Sequence, residues 1–223
     1  MIPEVAGVKA PLVHDGLFPT VALVDPELTV TMPRYVTACT GLDALAHAVE
    51  GYWSINHQPI CDLFALEAVK FVVRHLPVVL EDGSNMEART GMSMAALLAG
   101  LAFYQPKNAA VHACSYPLCT IYHLPHGAAC AMTLDHFMRF NAEAMGERGK
   151  ALAEAAGVED MAALSHIVAD LKRQADLPAT LSEIGVTMEA LHELVAASFV
   201  PLMNNNPRAV TPSDLRSLYT EML

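Results

Sequence analysis

The sequence predicts a mostly α-helical chain with a short β/loop segment at its N-terminus. Three observations carry this. From Pro33 onward, apolar residues recur at helical spacing through long runs rich in Ala, Leu and Met. Before that point, Val5 to Val13 and Pro19 to Pro26 have the Gly/Pro punctuation and β-branched content of short strands and loops. Val21 to Val24 is an unbroken apolar run, the pattern of a strand buried on both faces, yet nothing later in the chain offers it a neighbour. The sheet it would join has no counterpart in these 223 residues. The chain is therefore expected to divide into residues 1–32, a strand-and-linker remnant of an α/β domain, and 33–223, an all-helical bundle-like domain.

The helices can be justified in order. Tyr35 to Ser54 is a helix of small and apolar residues. Pro59 opens a second, long one, with Pro77 expected to end or kink it. Glu81 to Asn85 reads as a turn and helix cap. Met86 to Phe103 follows, where Gly91, Ala95, Ala99 and Gly100 allow close helix approach and the methionines act as core filler. Asn108 to Tyr122 is a helix whose regularity Pro117 breaks, and His126 stands at the start of the next. Charged, amphipathic helices are expected at about 143–156, 160–175 and 187–200. Asn206-Pro207-Arg208 is a turn. Thr211-Pro212-Ser213-Asp214 then carries the N-cap, first-turn proline and N3 acid of a last helix to Leu223. There is no internal repeat and no low-complexity segment.

Bulk properties exclude several function classes. A formal charge of −11 argues against nucleic-acid binding, which needs a basic face. No apolar run is long enough for a transmembrane span, and the N-terminus lacks the basic and apolar regions of a signal peptide. Five cysteines, an odd number with no CxxC pair, fit a reduced cytoplasm. The apolar content of 53 % is high and points to a large intersubunit or interdomain contact.

Chemistry concentrates in Thr40-Gly-Leu-Asp43-Ala-Leu-Ala-His47-Ala-Val-Glu50. Four residues apart on a helix, Asp43 and His47 share one face and can take one divalent cation between them. The same spacing also serves a surface ion pair or a capped helix start, but Leu42, Ala44, Leu45, Ala46, Ala48 and Val49 make this an apolar wall. A charge is rarely kept there unless paired or bound to metal. His112 and His126 lie in a second stretch of similar character. One Asp and three His would fill a metal's protein shell and leave room for a water or substrate oxygen. Cys114, Cys119 and Cys130 fall near these histidines, either as soft ligands or as small packing residues.

With both stretches placed, the chain resembles the iron-containing (group III) alcohol dehydrogenase family over essentially its whole length. The matching residues are Asp25-Pro26-Glu27-Leu28, Gly41 to Glu50 with Asp43 and His47, Ser54, Pro59 and Asp62, and Ala88-Arg89. They continue through Ala99 to Phe103, His112-Ala113, Pro125-His126-Gly127 and Asn206-Pro207-Arg208. The resemblance implies a dehydroquinate synthase-like two-domain fold, in which an N-terminal α/β domain binds NAD(P) and a C-terminal helical domain binds the metal. It implies that Asp43, His47, His112 and His126 are the metal ligands, and that Phe103 lines the substrate pocket. His123, beside the ligand run, could face that pocket. Fe(II) is the family's metal and Zn a rival, since mixed N/O donors suit either. The bound metal would act as a Lewis acid on a small alcohol or aldehyde, with hydride passing to or from NAD(P).

The Gly-rich loop of the nucleotide domain has no counterpart here, so NAD(P) is expected only where that domain is present, and this chain alone is expected to show little or no dehydrogenase activity. Met1 falls at a mid-family position, which fits a truncated chain or a gene start placed too late. Many members carry a second histidine four residues after the first of the late pair, where this sequence has Tyr116. Tyr116 either donates a hydrogen bond or relays a proton, for which a pKa of about 10 makes it a poor base, or it packs on Pro117. The departure points to an aldehyde bearing a phosphonate or carboxylate. Two alternatives stay open: a zinc-dependent enzyme of the glycerol dehydrogenase type, and a non-catalytic helical metal-binding or oligomerisation module. Family resemblance and composition favour a homo-oligomer.

Overall fold

The computed structural model describes residues 14–223, and the first expected strand-and-loop stretch, Val5 to Val13, lies outside them. Eight α-helices form among the described residues: α1 Arg34–Trp53, α2 Pro59–Glu81, α3 Met86–Phe103, α4 Ala110–Thr120, α5 His126–Ala155, α6 Met161–Gln174, α7 Leu191–Ser198 and α8 Pro212–Glu221. None is long and apolar enough to cross a membrane.

α1 is central because it is apolar except for a narrow stripe through Thr40, Asp43 and His47. Fourteen of its residues, from Thr37 to Trp53, are buried, and a helix with so little polar surface must be enclosed by others. The α2–α3 hairpin and α5 enclose it, α6 packs along α5, and α4 bridges α5 to α7, which α8 covers. Two close approaches set these spacings. A Cβ on Gly127 would lie 1.9 Å from the Cys39 carbonyl oxygen, so only glycine lets the first turn of α5 rest on α1. Gly91 likewise leaves room for the His75 ring. Gly100 does not take the close-packing part expected of it, because its Cα faces open space. Arg89, buried in α3, donates to Thr37 Oγ1 at 2.9 Å, to the Gly83 carbonyl at 2.8 Å and to the Met32 carbonyl at 3.2 Å, tying the entry of α1 to the α2–α3 turn.

Most helix starts are where the sequence puts them. The Asn85 side chain caps α3 by accepting from Ala88 N at 3.0 Å, and Thr211 with Asp214 forms a full capping box on α8. Four expectations need correction. Val21 to Val24 is exposed and forms no strand among the described residues, since a strand exists only through its ladder to a neighbour and none is present. α2 runs on past Pro77 to Glu81, because its apolar face stays packed while one ladder bond is given up. The helix expected at 143–156 is the continuation of α5 beyond Gly146, whose φ of +48° bends it. The stretch 187–200 contains only Leu191–Ser198 as α-helix.

Candidate metal centre

Asp43 and His47 occupy successive turns of α1, His112 sits in the first turn of α4, and His126 opens α5. The three helices bring all four side chains to one place. His47 Nε2 lies 3.6 Å from Asp43 Oδ2, while His112 Nε2 and His126 Nε2 lie 3.6 and 3.5 Å from Asp43 Oδ1.

These separations are too long for hydrogen bonds. They match the edge of a coordination shell: two donors each about 2.0–2.3 Å from one ion, spread at the tetrahedral angle, sit about 3.3–3.8 Å apart. Accordingly, Asp43 Oδ1 and His112 Nε2 are buried and have no hydrogen-bond partner.

The far nitrogens explain which way the lone pairs point. His112 Nδ1 is hydrogen-bonded to Glu50 Oε2, and Glu50 Oε1 accepts from the Val111 and His112 backbone N–H groups at 2.7 and 3.4 Å. Glu50 is fully buried. His47 Nδ1 meets Asn108 Oδ1 at 3.1 Å. The Ser115 hydroxyl donates its proton to the His112 carbonyl at 2.8 Å, leaving its oxygen to accept from His126 Nδ1 at 3.4 Å. With Nδ1 engaged in each ring, Nε2 is the nitrogen left to bind a cation. Three Nε2 atoms and a carboxylate then face one another, an arrangement that a cation between them stabilises. Oriented this way, the donors fit a divalent ion.

Electrostatics agrees. Burial by itself would raise the Asp43 carboxyl, but contacts from His112 and His47 and the charges of His47 and His126 outweigh it and hold it well below the usual carboxylate range. Burial opposes protonation of His112, yet Cys130, Glu50 and Asp43 together raise it. The site draws positive charge.

Phe103, at the end of α3, stacks on the His47 ring with centroids 4.1 Å apart and 15° between planes. Tyr116 is half-buried one turn beyond His112 on α4, and burial raises its hydroxyl. His123 is exposed in the α4–α5 turn at a φ of +54°, and it makes none of the contacts that join the cluster. An apolar cavity of about 350 Å³, lined by Val24, Thr37, Ala44, Arg89, Met92 and Leu97 among others, includes none of the metal-facing residues.

Sequence reasoning gave no role to Glu50 or Asn108. Glu50 had a visible signal, a lone acid in the apolar run Ala48-Val49-Glu50-Gly51-Tyr52-Trp53, seven residues after Asp43. Asn108 had none, because its loop position identifies no partner. One further donor joins the cluster. Asp43, His112, His126 and Cys130 each offer an atom within 4.8 Å of the others. That grouping substitutes Cys130 for His47. We keep His47 beside it, since its Nε2 is as near the Asp43 carboxylate as the other rings and is oriented by Asn108.

Comparison with known proteins identifies the family. The profile of the Fe-containing alcohol dehydrogenase family, C-terminal, matches residues 37–223. Long-chain-alcohol dehydrogenase 1 of Geobacillus thermodenitrificans is 35 % identical over 95 % of this chain and 56 % of its own length. NAD-dependent methanol dehydrogenase of Bacillus methanolicus is 33 % identical over 97 % and 59 %. The chain thus spans about half the length of the curated relatives it matches. Sulfoacetaldehyde reductase from Bifidobacterium kashiwanohense, solved with NAD+, superposes with a TM-score of 0.93 at 43 % identity, covering 96 % of this chain and 57 % of that one.

Proposed function

Because the chain belongs to the Fe-containing alcohol dehydrogenase family, we propose that it is the metal-binding half of an NAD(P)-dependent enzyme interconverting an alcohol and an aldehyde. Residues 33–223 serve as the helical catalytic domain, and the exposed Leu17, Phe18, Val21, Leu23 and Leu28 belong to the linker toward a nucleotide-binding domain. The observation that carries the reading is the convergence of three imidazole Nε2 atoms on the Asp43 carboxylate at 3.5–3.6 Å.

Asp43, His47, His112 and His126 hold the ion, Fe(II) or Zn, whose chemistry here is that of a Lewis acid on an alcohol or carbonyl oxygen. Asp43 supplies the anionic charge that keeps it. Glu50 and Asn108 engage Nδ1 of His112 and His47, which leaves Nε2 of each ring to face the ion. Phe103 covers the flat face of His47 and excludes water from that side. Tyr116 acts as a hydrogen-bond donor toward substrate rather than as a base, because its raised hydroxyl keeps its proton at neutral pH.

For the substrate, an aldehyde carrying an anionic group is favoured. The 43 % identity to a sulfoacetaldehyde reductase exceeds the 35 % and 33 % to enzymes named for long-chain alcohols and methanol. The enzyme is proposed to act as a homo-oligomer, with no nucleic-acid or membrane partner, in the cytoplasm.

The test is metal content by mass spectrometry of protein purified without oxygen, beside His112→Ala. One Fe or Zn per chain, lost in the variant, supports the reading. Absence of metal from the unaltered protein after loading with either ion overturns it. The substrate class is read from NAD(P)H-dependent turnover of sulfoacetaldehyde against propanal, measured with a nucleotide-binding domain supplied. A preference for propanal removes the anionic group from the proposal.

A further inference from the structure

The loop 104–109, between α3 and α4, brings Asn108 to the His47 ring, and its backbone is not one a free chain settles into. Lys107 has a φ of +65°, in the left-handed region that residues other than glycine seldom enter. Two side chains from outside the loop hold it by its carbonyl groups. The hydroxyl of Ser54, a fully buried residue just after α1, donates to the Pro106 carbonyl at 2.9 Å. Asn205 Nδ2 donates to the Asn108 carbonyl at 2.8 Å. A carbonyl can only accept, so the Asn205 amide has one orientation, and its Oδ1 is left to accept from Asn56 Nδ2 at 3.1 Å. The Asn205 backbone carbonyl accepts from Ile55 N at 3.0 Å. From the end of the short turn Pro201–Asn205, this one residue therefore ties the chain just after α1 to the loop just before α4.

We propose that Asn205 is a positioning residue for the metal site: by holding the Asn108 backbone it keeps the Asn108 side chain against His47. Phe103 stacks on the flat face of the His47 ring and sets its plane. A partner lying at the ring's edge is needed to set which way its nitrogens point. Asn108 Oδ1, 3.1 Å from Nδ1, supplies it and leaves Nε2 turned toward Asp43. Asn205 touches neither the ring nor the carboxylate, and its effect on the site passes through Asn108. The proposal rests on the reading of the cluster as a divalent-metal site, and the experiment separates the two.

Co(II) affinity of metal-free protein is measured by competition with a chromophoric chelator, in a double-mutant cycle of Asn205→Leu and Asn108→Ala. Leucine keeps the size of the Asn205 side chain and removes its donor. Alanine at position 108 keeps the backbone carbonyl that Asn205 holds and removes the reach to His47. Asn205→Leu is expected to weaken Co(II) binding about 10-fold, the low end for residues supporting a ligating histidine. In the Asn108→Ala background it is expected to weaken binding no further, because the coupling runs through that side chain. A merely structural role would lower affinity by the same factor in both backgrounds. That result, or unchanged affinity in Asn205→Leu, overturns the role of Asn205 and leaves the metal site standing. Should Asn205→Leu fail to fold, Asn205→Ala decides the matter in the same cycle. Absence of Co(II) binding by the unaltered protein overturns both.

Discussion

Glu50 holds His112 at two points: one carboxylate oxygen is bonded to ring Nδ1, and the other takes the backbone N–H groups of Val111 and His112. A residue seven positions beyond Asp43 on α1 thereby fixes both the ring and the first turn of α4. Removing the charge while keeping the shape isolates the first effect. Glu50→Gln is expected to weaken metal binding about 10–100-fold, the usual cost of losing a carboxylate behind a ligating histidine. Competition titration with a chromophoric chelator measures it, and an unchanged affinity would reduce Glu50 to a packing residue.

The distance between α1 and α5 depends on a hydrogen atom in place of a methyl at Gly127. Gly127→Ala drives a Cβ into the Cys39 carbonyl, which is backbone and cannot swing aside. Overpacking of this kind costs about 1–3 kcal/mol, and more where backbone must move. Because the neighbouring residue is His126, α5 retreats and carries that ring away from Asp43. The variant is expected to lose both thermal stability and metal affinity in proportion. Stability lost with affinity retained would mean that the helix yields elsewhere.

An ion bound only by the folded state stabilises it by mass action. At free metal about 1,000 times the dissociation constant, the gain is about 4 kcal/mol. Chelation is therefore expected to lower the melting temperature of the unaltered protein reversibly, with recovery on adding Zn(II). Asp43→Ala, lacking the anionic donor, is expected to melt at one temperature with or without chelator. Equal chelator responses in the two proteins would take Asp43 out of the ligand set.

What could be read from the chain follows from which forces are local. The Asp43/His47 pair, the caps at Asn85 and Thr211, and the buried character of α1 are written in spacings of three and four residues. Pro77 misled because a proline signals a helix end locally, while the packed apolar face of α2 carries the helix through. Val21 to Val24 misled in a related way: apolar β-branched content marks a strand only where a neighbouring strand exists to pair with it. The roles of Glu50 and Asn108 lie in contacts with residues far away in sequence, and that of Ser115 in a contact across the α4–α5 turn. No periodicity encodes those contacts.

His136 makes the stability of the fold depend on pH. His136, on α5, is lowered to about 4, chiefly by burial, with Arg139 and Lys172 adding to the effect and Asp135 opposing it. Its Nδ1 accepts from Arg139 at 3.0 Å, which requires the neutral ring. In the unfolded chain the same group takes a proton near 6.5. The stability held by the neutral ring is thus fully present above pH 6.5 and is lost as pH falls toward 4, because the unfolded state gains the proton first. The span is worth at most about 3 kcal/mol, the side chain being 13 % exposed. Urea unfolding of metal-free protein at about pH 7 and pH 4.5 is expected to show a larger drop for the unaltered chain than for His136→Gln. Equal drops would assign the acid sensitivity to other groups.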